Sequence, residues 1–122
     1  FDGGRLAGRY RGARAEFDTA VANYDRTLIA ALRDVADIAQ SRAATERQLG
    51  DRRAALKAAT DAAQLAGLRY RAGLSTQLPQ LTAEDSMTQL ARQVSDLEAR
   101  RLSLDIALIR ALGGGYQTNA GE

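Results

Sequence analysis

The chain has 122 residues, a formal charge of +2 and a pI near 9.4, with 45% hydrophobic but only 5% aromatic residues. Acids and bases are interspersed and no block of like charge reaches five residues, so the surface reads as solvated mixed charge and not as a nucleic-acid-binding tract. With neither Cys nor His, disulfides, thiolate chemistry, Ser-His or Cys-His nucleophiles and ordinary zinc sites are excluded.

Ala and Arg dominate, Ala, Leu, Arg, Gln and Glu are strong helix formers, β-branched residues are sparse and Pro occurs once, which predicts an all-α fold. Small side chains favour close helix packing over a thick apolar centre. The opening "FDGG" predicts a turn or strand end over residues 1–4, because paired glycines after an Asp stop a regular element. It lacks an initiator Met, and no signal-peptide pattern follows, so the sequence is expected to be a fragment.

A long helix is predicted over 5–72. Positions 10, 14, 17, 21, 24, 28, 31, 35 and 38 step alternately by four and three. They carry Tyr10, Arg14, Phe17, Val21, Tyr24, Leu28, Ala31, Val35 and Ile38, the spacing of a coiled-coil seam. The register continues through Arg42, Thr45, Leu49, Arg52, Leu56, Ala59, Ala63, Ala66 and Tyr70. It weakens over "SRAATERQLGDRR". A second stripe of Ile29, Leu32, Ala36, Ala39 and Ala43 widens the apolar sector enough for neighbours on two sides. Ala54, Ala58 and Ala62 form a small-residue stripe that admits another backbone.

The stretch "RYRAGLSTQLPQL" then breaks the helix. Gly73 stands where a left-handed residue closes a helix, and Pro79 fits the first turn of the next one. Ser75 or Thr76 is the expected N-cap, with Thr82 and Asp85 a weaker alternative one turn later. A tip turn is placed at 73–77 and a return helix at 78–112. The return seam is Met87, Leu90, Val94, Leu97, Arg101, Leu104, Leu108 and Ala111, flanked by Leu102, Ile106, Ile109 and Leu112. Gly113 is the stop, and 113–122 a Gly-rich, flexible tail. So short a corner makes a long antiparallel αα-hairpin.

The two limbs are unequal, about 100 Å against about 50 Å at the α-helical rise. The return helix reaches only to about Ile38, leaving Tyr10, Phe17, Val21, Tyr24 and Leu28 without a partner in the chain. Other chains or missing parts of this one must cover them, or the first helix bends near Gly50 into a three-helix bundle. Lys57 reads as a solvated surface amine. Arg33/Asp37, Arg92/Asp96 and Arg101/Asp105 stand at the spacing of ordinary helix-surface ion pairs. No Gly-rich phosphate loop precedes a helix, and no apolar run approaches the roughly 20 residues of a membrane-spanning helix. No enzyme activity and no cofactor are expected.

Three motifs, in order, carry a family resemblance. The opening "FDGGRLAGRYRGARAEFDTAVANYDRTLIAALRDVADIA" resembles the segment after the second outer-membrane hairpin of TolC-type outer membrane efflux proteins. "LAGLRYRAGLSTQL" resembles their tip, and "IRALGGGY" their closing A-L-G-G-G-[WY]. The resemblance implies a homotrimeric outer membrane channel extended into the periplasm by a helical tunnel. It also implies a periplasmic adaptor that docks at the tip and an inner-membrane pump beyond it. This segment would be the periplasmic hairpin of the second repeat, without the β-barrel that holds the protein in the outer membrane. By position, Ala72, Gly73, Leu74 and Ser75 would be the adaptor-binding tip. Tyr70 would be either a gate residue or a seam residue of its own hairpin, and neighbouring tunnel helices would cover the Tyr10–Leu28 stripe. Where family members carry acidic residues after the tip, this chain has Pro79, Gln80, Leu81, Thr82 and Ala83, so no acid-ring gate is carried over. A scaffolding coiled-coil module, including the hairpin of an adaptor, is the alternative reading.

Overall fold

A computed structural model describes residues 2–113 and contains two helices. Helix α1 spans Asp2–Arg71 (70 residues) and α2 spans Leu78–Gly113 (36 residues), joined by the corner at 72–77. The chain divides into two units, Phe1–Asp37 and Ile38–Glu122. The expected tail beyond Gly113, with Tyr116 of the closing motif, lies outside the described residues, as does Phe1.

Two features differ from the sequence-based reading. Helix α1 takes in Asp2, Gly3 and Gly4, where a turn is predicted. Extending a formed helix is far easier than starting one, and Asp2 places a carboxylate at the positive end of the helix dipole. The helix also passes through Gly50 without interruption, with Leu49 fully buried beside it. Two helices therefore form instead of a three-helix bundle. The flank Leu102, Ile106, Ile109 and Leu112, for which the sequence sets no burial, is exposed, so α2 buries one stripe and presents a second to solvent.

The second unit is an antiparallel pair with a thin core. The predicted α2 seam turns inward throughout: Val94 is buried, and Met87, Leu90, Leu97, Arg101, Leu104, Leu108 and Ala111 are partly so. From α1 come Leu49 at 0% exposure, Thr45 at 1%, Ala63 and Gly67. The Thr45 hydroxyl donates to the Ser41 carbonyl at 2.8 Å, which removes the cost of hiding an unpaired polar group. Gly67 marks a close approach. A Cβ built there would lie 3.2 Å from Nε2 of Gln80 on α2.

The ion pairs do not follow the single-helix spacing. Among the described residues all three cross between helices: Arg42 with Asp105, Arg101 with Glu46 at 3.2 Å, and Arg53 with Glu98 at 2.9 Å. Arg101 and Asp105, expected to pair with each other, each take a partner on α1. Hydrogen bonding to the Asp105 carboxylate, together with its charge, raises the Arg42 guanidinium further above its ordinary value. That shift is without consequence at any physiological pH.

Candidate functional site: the corner between the helices

The corner is built by the backbone. The Gly73 amide donates to the Tyr70 carbonyl at 3.0 Å and the Leu74 amide to the Arg69 carbonyl at 2.8 Å. With Gly73 at φ +75, this is the paired closure in which a left-handed residue satisfies the last helix carbonyls. The Ala72 amide still reaches the Leu68 carbonyl at 3.0 Å. Gly73 is thus left-handed, as its place after the last seam residue predicts.

The start of α2 is less as expected. The Gln77 carbonyl accepts from the Leu81 amide at 3.1 Å, so Gln77 holds the N-cap position. The Ser75 hydroxyl instead donates to the Thr76 carbonyl at 3.1 Å. Pro79 is the second residue of α2, where its missing N–H forfeits no intrahelical bond.

This geometry leaves an apolar tip. Leu74 is 79% exposed. Ala72 and Gly73 are exposed and Ser75 is partly buried. Tyr70, one turn before the corner, is 42% exposed. Leu78 and Leu81 continue the apolar surface from Leu74 onto the first turn of α2, and both are exposed. The sequence-based reading does not single out these two, although they follow Leu74 at the same four-three spacing used elsewhere.

A groove lies on each side of the corner. One, of about 520 Å³, is lined by Ala63, Gly67, Leu68, Arg71, Gln80 and Met87 among others. The second, of about 320 Å³, is lined by Leu65, Ala66, Arg69, Ser75, Pro79 and Ala83 among others. No group of three or more potential metal ligands occurs among the described residues. No described helix is long and apolar enough to cross a membrane. The corner can offer shape, a bare stretch of backbone at Gly73 and apolar contact.

The stripe Tyr10, Phe17, Val21, Tyr24 and Leu28 belongs to the first unit and not to the corner. All five side chains are exposed, Phe17 at 67% and Tyr24 at 68%. Leu6, Ile29 and Leu32 are exposed as well.

Two glycine substitutions are expected to act in opposite directions. Gly73→Ala forces a Cβ into left-handed backbone at a cost of about 1–2 kcal/mol, and it does so in open space, since nothing lies within 4 Å of that Cβ. Gly50→Ala, also in open space but mid-helix, is expected to stabilise by about 1 kcal/mol. Urea titration followed by helical circular dichroism, at fixed protein concentration, reads both signs.

Comparison with known proteins places this geometry in context. The family model described as outer membrane efflux protein matches residues 1–114. The pyoverdine export outer membrane protein OpmQ of Pseudomonas putida is 32% identical over 98% of this chain and 26% of its own length. Outer membrane protein OprJ of Pseudomonas aeruginosa is 34% identical, with 95% of this chain and 24% of that protein covered. The multidrug resistance outer membrane protein MdtP of Escherichia coli is 34% identical, with 96% and 24% covered. The chain therefore spans about a quarter of the length of the curated relatives it matches. No solved structure matches it significantly.

Proposed function

The chain belongs to the outer membrane efflux protein family, and on that premise we propose that it is one stave of a periplasmic helical tunnel. In this reading the full-length protein is a homotrimeric channel of the outer membrane for export of small molecules. The present segment adds a length of wall and, at residues 72–75, a docking tip for a periplasmic adaptor that connects to an inner-membrane pump. Tyr70, half-exposed one turn behind the tip, would face the lumen and narrow its entrance. No bond is made or broken; the work is containment and docking.

One observation carries the reading. Among the described residues, large apolar side chains stand in water along α1 from Tyr10 to Leu32 and at the corner on Leu74. Fully burying each such side chain is worth about 1.5–3 kcal/mol, so a wall of neighbouring helices and a docked partner both gain from covering them. OpmQ, OprJ and MdtP are all outer membrane proteins, which supports the setting.

Docking is tested on the full-length protein with its adaptor. Leu74→Asp removes the apolar knob while leaving the Gly73 closure intact. Cross-linking from a cysteine at position 75 to the adaptor is expected to fall roughly 10–100-fold, the affinity equivalent of one buried leucine. Drug resistance should fall in parallel, with the amount of channel in the outer membrane unchanged. Undiminished cross-linking and resistance would remove the docking role from this tip.

A further inference from the structure

We propose that the crossed ion pairs Arg42–Asp105 and Arg101–Glu46 lock the register of the hairpin, penalising a one-turn slip of α2 along α1 in either direction. The proposal concerns the hairpin alone and stands whether or not the tip docks a partner.

Both helices carry a base followed four residues later by an acid: Arg42 and Glu46 on α1, Arg101 and Asp105 on α2. Residues four apart share a helix face. Because the helices run in opposite directions, the same written order becomes complementary in space, and each base meets the other helix's acid. Slide α2 by one turn one way, and Arg42 comes opposite Arg101. Slide it one turn the other way, and Glu46 comes opposite Asp105. Either displacement exchanges an attraction for a repulsion.

The core between the helices is thin and fixes the register only in part, chiefly through Leu49 and Thr45. Along the facing stripes Ala and Leu recur, with Thr45, Met87 and Val94 among them, and the buried members near the corner are the small residues Ala63 and Gly67. Moved by one turn, the Ala and Leu positions of such a seam meet similar side chains again. Register is weakly specified where the pattern is uniform, and antiparallel coiled helices fix it with charges at the edges of the seam. The four side chains are between 32% and 45% exposed. Pairs so exposed add little to stability, and their weight lies in discriminating between arrangements.

The test uses nitroxide labels on cysteines introduced at positions 48 and 93. Both natural glutamines are exposed and line one groove between the helices. Labelled chain is diluted into unlabelled chain, and the distance is read by pulsed electron resonance. The unsubstituted background is expected to give one distance. Arg42→Asp sets the introduced carboxylate against Asp105 in the native register but against Arg101 after a slip, and a second, shorter distance should appear. Glu46→Lys favours the opposite slip, towards Asp105, and should lengthen the distance. Each change is expected to approach about 5 Å, the rise of one turn. Arg42→Asp combined with Asp105→Arg should restore the single native distance. If one charge reversal unfolds the chain, the opposite reversal still reads the sign of the slip. A single unshifted distance in both folded reversals, or shifts of the same sign, would overturn the proposal.

Discussion

Leu49→Ala is expected to destabilise the hairpin by about 2–5 kcal/mol. Leu49 is at 0% exposure, it sits where α1 faces α2, and the unit has few other buried side chains to close around the void. The cost combines lost transfer free energy with the unfilled space. Leu102→Ala removes the same atoms from a side chain that is 61% exposed, and should stay within about 0.5 kcal/mol. Paired urea titrations at one protein concentration give the contrast. Equal losses at the two positions would mean that the exposed flank of α2 is covered in solution and the buried stripe has been misassigned.

The second large effect concerns assembly. In the full-length protein, the triple substitution Phe17→Ser, Tyr24→Ser and Leu28→Ser is expected to abolish the proposed assembly, with monomer replacing the proposed trimer in chemical cross-linking of isolated membranes. Each of these side chains is exposed in the single chain and would contribute about 1.5–3 kcal/mol on full burial. Their combined loss would shift association by several orders of magnitude. The tip variant Leu74→Asp provides the comparison, since it should leave assembly untouched. Normal trimers from the triple variant would mean that the stripe is not what holds the staves together.

Much of the hairpin is legible in the residues. Leu90, Val94, Leu97 and Leu104 announce the buried face of α2, because large apolar side chains at four-three spacing have only one way to leave water together. Gly73 announces the corner, because few other residues tolerate that backbone. The α1 seam is harder to follow. Arg42, Arg52 and Tyr70 stand in the extrapolated register, yet all three are exposed. A fixed seven-residue count drifts by about 20° per heptad against an untwisted helix, and alanine-rich stretches offer no bulky residue to re-anchor the count. The crossed ion pairs are hidden for another reason. Spacing within one helix pairs Arg101 with Asp105, and only the second helix brings better-placed partners. At the tip, residue identity points to a candidate site, whereas the bareness of Leu74 depends on where the turn aims it. The N-cap falls at Gln77 against expectation, because Ser75 and Thr76 are good capping residues standing one or two positions too early.

The nesting of the pairs implies an order of formation. Gly67 and Gln80, close in sequence, meet next to the corner, whereas Arg53–Glu98 and Arg42–Asp105 close progressively longer stretches of chain. Loop closure costs more as the loop lengthens, so the hairpin can zip from its tip, each formed turn shortening the next search. The end that nucleates is then the end proposed to meet the partner. It can be complete before the longest-range pair, Arg42–Asp105, has closed.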